Sequence, residues 1–205
     1  MDDPAATPVD LGHHDSGPPV AGLLLAAGAG TRMGTPKALV ELDGERLVDR
    51  GVRLLEDGGC HPVVVVLGAA VVPVRRAVVA RNPEWRSGMG SSLRVGLSAV
   101  PPEASAVVVA LVDQPGIRAR AVRRLVAAHR AGAYVAVATY GGARRNPVLI
   151  AREHFDAVAS LAVGDVGARP FLAAHRHLVT EVPCDDAGDP ADLDTPDDLA
   201  QARGR

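Results

Sequence analysis

An apolar run, Val20 to Ala27, empties into Gly28-Ala29-Gly30-Thr31-Arg32-Met33-Gly34-Thr35-Pro36-Lys37, where three glycines are interleaved with an arginine and a lysine. Glycine lets a backbone N–H approach an anion with no Cβ in the way, and Arg32 and Lys37 can neutralise several negative charges on one ligand. The chemistry indicated is phosphate binding. Farther along, the longest apolar run uninterrupted by glycine, Ala106 to Val112, stops abruptly at Asp113-Gln114-Pro115. Ligands of open α/β sheets bind at the carboxyl ends of strands, so Asp113 is expected at a crevice. An aspartate there can equally cap a helix starting near Arg118, and the sequence leaves both readings open.

Two familiar glycine loops do not fit. A dinucleotide fingerprint needs glycines at relative positions one, three and six, whereas here Met33 stands where the third belongs. A P-loop needs Gly-Lys-Ser/Thr, but Lys37 lies between Pro36 and Ala38. Other strings also carry polar groups at places where loops meet elements. Asn82-Pro83-Glu84-Trp85-Arg86-Ser87-Gly88-Met89-Gly90-Ser91-Ser92-Leu93 reads as a loop opening a helix, with Ser91 or Ser92 as its N-cap and Trp85 as a packing anchor. Tyr140 to Ile150 reads as a turn into a strand, with Arg144 and Arg145 either facing an anionic ligand or facing water. Thr195, Pro196 and Asp198 form an N-cap, first-turn proline and N3 acid for a final helix, which accounts for all of that string except Asp194.

Taken together, the glycine loop, the NPEWRSGMGSSL string, Asp113-Gln114-Pro115, Gly164-Asp165-Val166-Gly167-Ala168-Arg169 and Asp192-Leu193-Asp194-Thr195-Pro196 resemble, in order, the motifs of MobA-like nucleotidyltransferases. The resemblance spans about residues 20 to 203. It implies that Leu25, Ala26, Ala27, Gly28, Gly30, Arg32, Lys37, Gly90 and Ser92 bind a nucleoside triphosphate. It further implies that Asp113 and Asp194 hold Mg2+, with Arg32, Lys37 and Asp113 as the catalytic groups. Arg145, Asn146 and Arg169 fall on the acceptor side. Two departures are visible: Gly30 stands at the usual serine position, and Asn146 where histidine is commonest. The Leu25-Ala26-Ala27-Gly28 form is similar to the cytidylyl-transferring molybdenum cofactor branch, which implies CTP, a molybdopterin-type phosphate and a molybdoenzyme of the xanthine oxidase type as recipient. Two alternatives stand beside it: transfer to another phosphorylated small molecule, and a non-catalytic carrier of the molybdenum cofactor.

These residues need a scaffold. Non-alternating apolar runs at 20–27, 63–67 and 106–112, separated by helical spacings such as Leu47, Val48, Gly51, Leu54 and Leu55, predict a mostly parallel mixed sheet between two helical layers, a three-layer α/β/α fold. Within it, 68–81 is expected to hold a short helix and then a strand through 77–80, because Pro73 interrupts any single long helix. With 205 residues, the chain is expected to be one domain over 20–205 behind a flexible leader at 1–19, which carries four prolines and four aspartates. His13-His14 in that leader has no third metal ligand beside it in sequence.

Composition narrows the partners. The 22 basic and 24 acidic residues leave a net charge of −2, and aromatics make up 2% of the chain. Neither a global basic field nor a stacking surface for bases is available, so nucleic acid is not an expected partner. Cys60 and Cys184 are far apart and outside any Cys-x-x-Cys pair, so no zinc site or disulfide framework is expected. No apolar run approaches about 18 residues, and a cytoplasmic protein without a membrane partner is expected.

Overall fold

The structure is a computed structural model describing residues 17–203. The expected leader therefore lies outside the described residues through position 16, as do His13 and His14. Among the described residues, nine strands and six α-helices follow in the order β1 (Val20–Ala26), β2 (Glu41–Leu42), β3 (Glu45–Arg46), α1 (Leu47–Asp57), β4 (Val63–Leu67), β5 (Val78–Arg81), α2 (Met89–Ala99), β6 (Ala106–Leu111), α3 (Ala119–Arg130), β7 (Val135–Tyr140), β8 (Ala143–Ala151), α4 (Phe155–Leu161), α5 (Arg169–Ala174), β9 (Val179–Pro183) and α6 (Pro196–Ala202).

Seven strands form one sheet in the order β5-β4-β1-β6-β8-β7-β9, and β2 and β3 pair as a small hairpin. Neighbours are parallel except at β8, which runs antiparallel to both β6 and β7. The sheet is thus mixed but mostly parallel, as expected. Burial on both faces explains why β1, β4 and β6 lack an apolar–polar alternation. Alternate residues of β1 enter separate cores: Leu24 and Ala26 pack with Leu47, Val48 and Leu55 of α1 and Leu125 of α3, whereas Leu23 and Leu25 pack with Leu93 and Leu97 of α2. Two glycines allow the close approach of these helices. A Cβ on Gly51 would fall 2.7 Å from Leu24, and one on Gly96 would fall 2.5 Å from Leu23.

Two local expectations fail. The 68–81 segment holds no helix; it runs irregularly to β5, past Pro73 and past Arg76 at a φ of +62°. A proline lacking its N–H, followed by a left-handed residue, leaves no uninterrupted turn of helix to form. Likewise, neither Ser91 nor Ser92 caps α2, whose N-cap position is Gly88 with a φ of +107° and no side-chain cap. The serines lie inside the first turns and are buried.

Between β9 and α6 the chain crosses the carboxyl edge of the sheet as an extended strap, 184–195. The strap lies antiparallel to the loop after β6, with Arg118 N–H donating to Ala187 O, Asp189 N–H to Gly116 O, and Leu193 N–H to Asp113 O at 2.7 Å. This crossing brings the two ends of the motif series together.

Candidate active site

The glycine loop leaves the carboxyl end of the interior strand β1. Leu25, Ala26 and Ala27 are buried, and the carbonyls of Leu25 and Ala27 already accept from Val112 and Ala69. Beyond them the chain turns sharply. Gly30 has a φ of +60°, and a Cβ there would sit 2.1 Å from Thr35 O, so the glycine that replaces the usual serine is demanded by this particular turn. Gly34 N–H closes the turn onto Gly30 O. Gly28 is different: nothing lies within 4 Å of where its Cβ would be. In this conformation the N–H groups of Gly28, Gly30 and Arg32 have no acceptor among the described residues, leaving donors for an anion.

Lys37 opens a short 3-10 turn, Lys37–Leu39, directly after the loop. Its Nζ lies 2.6 Å from Asp113 Oδ2 and 2.6 Å from Asp194 Oδ1, while Arg32 Nη2 reaches Asp194 Oδ2 at 2.7 Å. Four residues separated by as many as 162 positions thus form one ionic cluster. Burial distinguishes its members. Side-chain exposure is 14% for Lys37, 20% for Asp113, 30% for Asp194 and 70% for Arg32. Burial pushes the Asp113 carboxyl above its ordinary range, opposed by Lys37. The Lys37 ammonium beside Asp194 holds that carboxyl below the usual range. Burial alone would lower Lys37, but the two carboxylates outweigh it and keep the lysine charged. Asp113 does not cap the following helix: α3 begins at Ala119 with no side-chain cap, and Asp113 Oδ1 is buried without a hydrogen-bond partner.

Asp194 is aimed by its own helix start. Thr195 and Asp198 form the expected capping box, and Asp198 Oδ2 also accepts from the Asp194 N–H at 3.1 Å. Gln114, buried behind Asp113, donates from Nε2 to Pro190 O and to Asp192 Oδ1. Nothing in the residue spacing pointed to Gln114 as the tie between the β6 loop and the strap.

The NPEWRSGMGSSL string is built inward. Asn82 Nδ2 donates to Ser91 Oγ at 2.8 Å and to Ser92 Oγ at 2.9 Å, joining the end of β5 to α2. Ser92 is therefore buried and its hydroxyl engaged. Gly90 gives its N–H to Gly164 O, and a Cβ on it would lie 2.5 Å from Ala162 O. Met89 N–H donates to Asp165 Oδ1. The GDVGAR string thus seals the start of α2, a contact that its acceptor-side position did not suggest. Trp85, half-buried, packs beside Gly68, where a Cβ would clash with both Trp85 at 2.5 Å and Ala27 at 2.9 Å. Of the residues expected on the acceptor side, Arg145 and Arg169 are exposed and Asn146 is half-buried. Asn146 lies in a bulge of β8, where Val148 pairs with Val137 but Arg145 pairs with the next residue, Ala138. Arg144 is tied to Glu181 at 2.7 Å.

The cluster offers a cationic, amide-rich loop for phosphates, and two carboxylates converging on one cation position. The described residues hold no group of three or more His, Cys, Asp or Glu side chains suited to a metal. Two hard oxygen donors are nonetheless a sufficient protein contribution for Mg2+, which is ordinarily bound by one or two carboxylates together with substrate phosphates. No helix among the described residues is long and apolar enough to cross a membrane.

Comparison with known proteins gives the family and the fold. The family described as the MobA-like NTP transferase domain matches residues 22–179. Nicotine blue oxidoreductase of Paenarthrobacter nicotinovorans is 41% identical over 196 residues, 87% of this chain and 93% of that protein. Molybdenum cofactor guanylyltransferase of Rhodobacter capsulatus is 32% identical over 208 residues, 91% of this chain and 96% of that protein. Among solved structures, Rv0371c of Mycobacterium tuberculosis H37Rv is 28% identical with a TM-score of 0.79, covering 91% of this chain and 98% of its own. A structure of the same protein in complex with manganese is 26% identical by its alignment, with a TM-score of 0.73, covering 93% of this chain and 100% of its own.

Proposed function

The chain belongs to the MobA-like NTP transferase family, and from that premise we propose that it moves CMP from CTP to the terminal phosphate of a molybdopterin-type acceptor and releases pyrophosphate. The observation that carries this reading is the ionic cluster of Arg32, Lys37, Asp113 and Asp194 beside a glycine loop with open amides.

The energetic obstacle is charge, since an anionic acceptor must approach a polyanionic triphosphate. The loop amides and the Arg32 and Lys37 side chains bind the triphosphate and stabilise the charge that gathers on the leaving pyrophosphate. Asp113 and Asp194 are the residues that would hold Mg2+, which when bound screens the triphosphate and polarises its phosphoryl oxygens. The orphaned Asp113 Oδ1 and the convergence of both carboxylates fit such an ion. An acceptor phosphate oxygen forms a bond to the α-phosphorus as the bond to the bridging oxygen of the β-phosphate breaks. Because a phosphate monoester is already largely ionised at neutral pH, no general base is required, consistent with a cluster that contains no histidine. Arg145, Asn146 and Arg169 are assigned to the acceptor, and a molybdoenzyme of the xanthine oxidase type is the recipient of the product.

The choice of CTP is supported by the Leu25-Ala26-Ala27-Gly28 form of the strand end. GTP is the competing base, supported by the guanylyltransferase relative. A second reading draws on the 41% identical relative named as an oxidoreductase: the same cleft would hold a redox cofactor built on a nucleotide. Cys60 and Cys184, both buried, offer such chemistry no accessible thiol.

One assay separates these readings. Pyrophosphate release is measured with Mg2+ and each of CTP, GTP, ATP and UTP, with and without molybdenum cofactor, alongside NADH and NADPH consumption with a dye acceptor. Release confined to CTP with the cofactor is expected. Release with GTP alone reassigns the base, release with other phosphorylated acceptors reassigns the substrate, and pyridine-nucleotide consumption without pyrophosphate replaces the transferase reading.

A further inference from the structure

Every cation assigned above to the triphosphate is, in this structure, already bound to a carboxylate assigned to the metal. Lys37 Nζ sits between Asp113 Oδ2 and Asp194 Oδ1 at 2.6 Å from each, and Arg32 takes the remaining oxygen of Asp194 at 2.7 Å. Both cations come from a single segment, the glycine loop and the 3-10 turn that follows it. The loop is in effect closed onto its own active site by charge pairing.

We propose that the Lys37 ammonium is a built-in occupant of the divalent-cation position, and that metal and nucleotide enter by one coupled exchange in which phosphates take Lys37 while the metal takes Asp113 and Asp194. The inference rests on the metal and nucleotide assignments of the preceding subsection. Its physical basis is the cost of each half-exchange. A divalent ion entering alone must displace an ammonium held by two charge-assisted hydrogen bonds and leave Lys37, 14% exposed, without an anion. A triphosphate entering alone must draw both Lys37 and Arg32 away and leave two facing carboxylates unpaired, one of them mostly buried. Either ligand alone pays for stranded charge; both together leave every charge partnered. The two affinities are therefore linked, each raising the other by the same factor. A further consequence is that the nucleotide-free site resists occupation by stray divalent ions.

The test is Mn2+ binding to the nucleotide-free protein by titration calorimetry, which requires no turnover. The wild type is expected to bind Mn2+ weakly. Lys37→Met is expected to bind it at least about tenfold more tightly, since the occupant is gone and the carboxylate pair remains, and Lys37→Arg is expected to stay weak. Arg32→Met removes the same charge from the same loop without vacating the position, and its Mn2+ affinity is expected within about threefold of wild type. Circular dichroism checks folding, and Lys37→Gln provides a second neutral variant should Lys37→Met not fold. Folded neutral variants that bind Mn2+ no more tightly than wild type overturn the exchange, as does an Arg32→Met gain equal to that of Lys37→Met. The double variant Lys37→Met/Asp113→Asn separates the underlying assignment: it should lose the gained affinity, and retention of that affinity would remove Asp113 from the metal site altogether.

Discussion

The two carboxylates of the cluster are held by unlike pieces of the molecule. Asp113 follows β6, an interior strand paired with β1 and β8 and buried almost throughout. Asp194 lies near the end of the strap, outside any strand, positioned by backbone bonds to the loop after β6, by the Thr195 and Asp198 cap, and by Lys37 and Arg32. Electrostatics follow the scaffold: burial raises the Asp113 carboxyl, while hydrogen bonding by Lys37 lowers that of Asp194. The difference teaches that the site combines a pre-set carboxylate, fixed by the sheet, with one whose place depends on polar contacts that another charged group can replace.

The comparison can be broken most sharply at Asp113. Asp113→Asn, nearly isosteric at a strand end, is expected to lower kcat by about three orders of magnitude while Tm shifts by only a few degrees. Turnover within tenfold of wild type in the folded variant would remove Asp113 from the chemistry. Asp194→Asn is expected to cost less, about a hundredfold, and to act mainly by raising the Mg2+ concentration for half-maximal rate, because Asp113 still anchors the ion. Equal losses at both positions would erase the distinction between them.

The strap itself can be displaced without touching either carboxylate. Gly188 has a φ of +115°, and a Cβ there would lie 2.2 Å from Gly116 O across the strap–loop pairing. Gly188→Val is expected to cost about 1–3 kcal/mol of stability in a denaturant titration and to reproduce the raised Mg2+ requirement of Asp194→Asn. A normal Mg2+ requirement would show that the strap is not what places Asp194.

The smallest effect concerns pH. Asp186 pins the strap to α3 through Arg124 at 2.6 Å and Arg120 at 2.8 Å, and hydrogen bonds from Arg124 and then Arg120 hold its carboxyl well below the usual range. A carboxyl lowered on folding stabilises the protein above its unfolded pKa of about 3.9 and loses that contribution as the pH falls toward the folded value. The wild-type Tm should therefore decline below about pH 4. Asp186→Asn should remove part of that decline, with little change at pH 7 because the pair is exposed. Identical acid limbs for the two proteins would show that this contact does not hold the strap.

Much of the fold was legible because burial on both faces leaves a plain mark. Non-alternating apolar runs located β1, β4 and β6, and a loop rich in glycine at the end of β1 located an anion site. The failures were local. Ser91 and Ser92 have the chemistry of caps, yet a buried amide, Asn82, outbid the helix start for their hydroxyls. The 68–81 segment was expected to hold a short helix, with Pro73 excluding only a long one, but Pro73 followed by left-handed Arg76 leaves no helical turn at all.

By itself, the sequence determined which side chains could do chemistry, their order, and the strand ends from which Arg32, Lys37 and Asp113 project, since residue type and hydrophobic period are local properties. Only the tertiary structure decided that Lys37 bridges Asp113 and Asp194, that Gln114 ties the β6 loop to the strap, and that Asp165 closes the start of α2. Those contacts join residues 76 to 157 positions apart, and no pattern along the chain encodes a meeting that arises from the packing of the whole sheet.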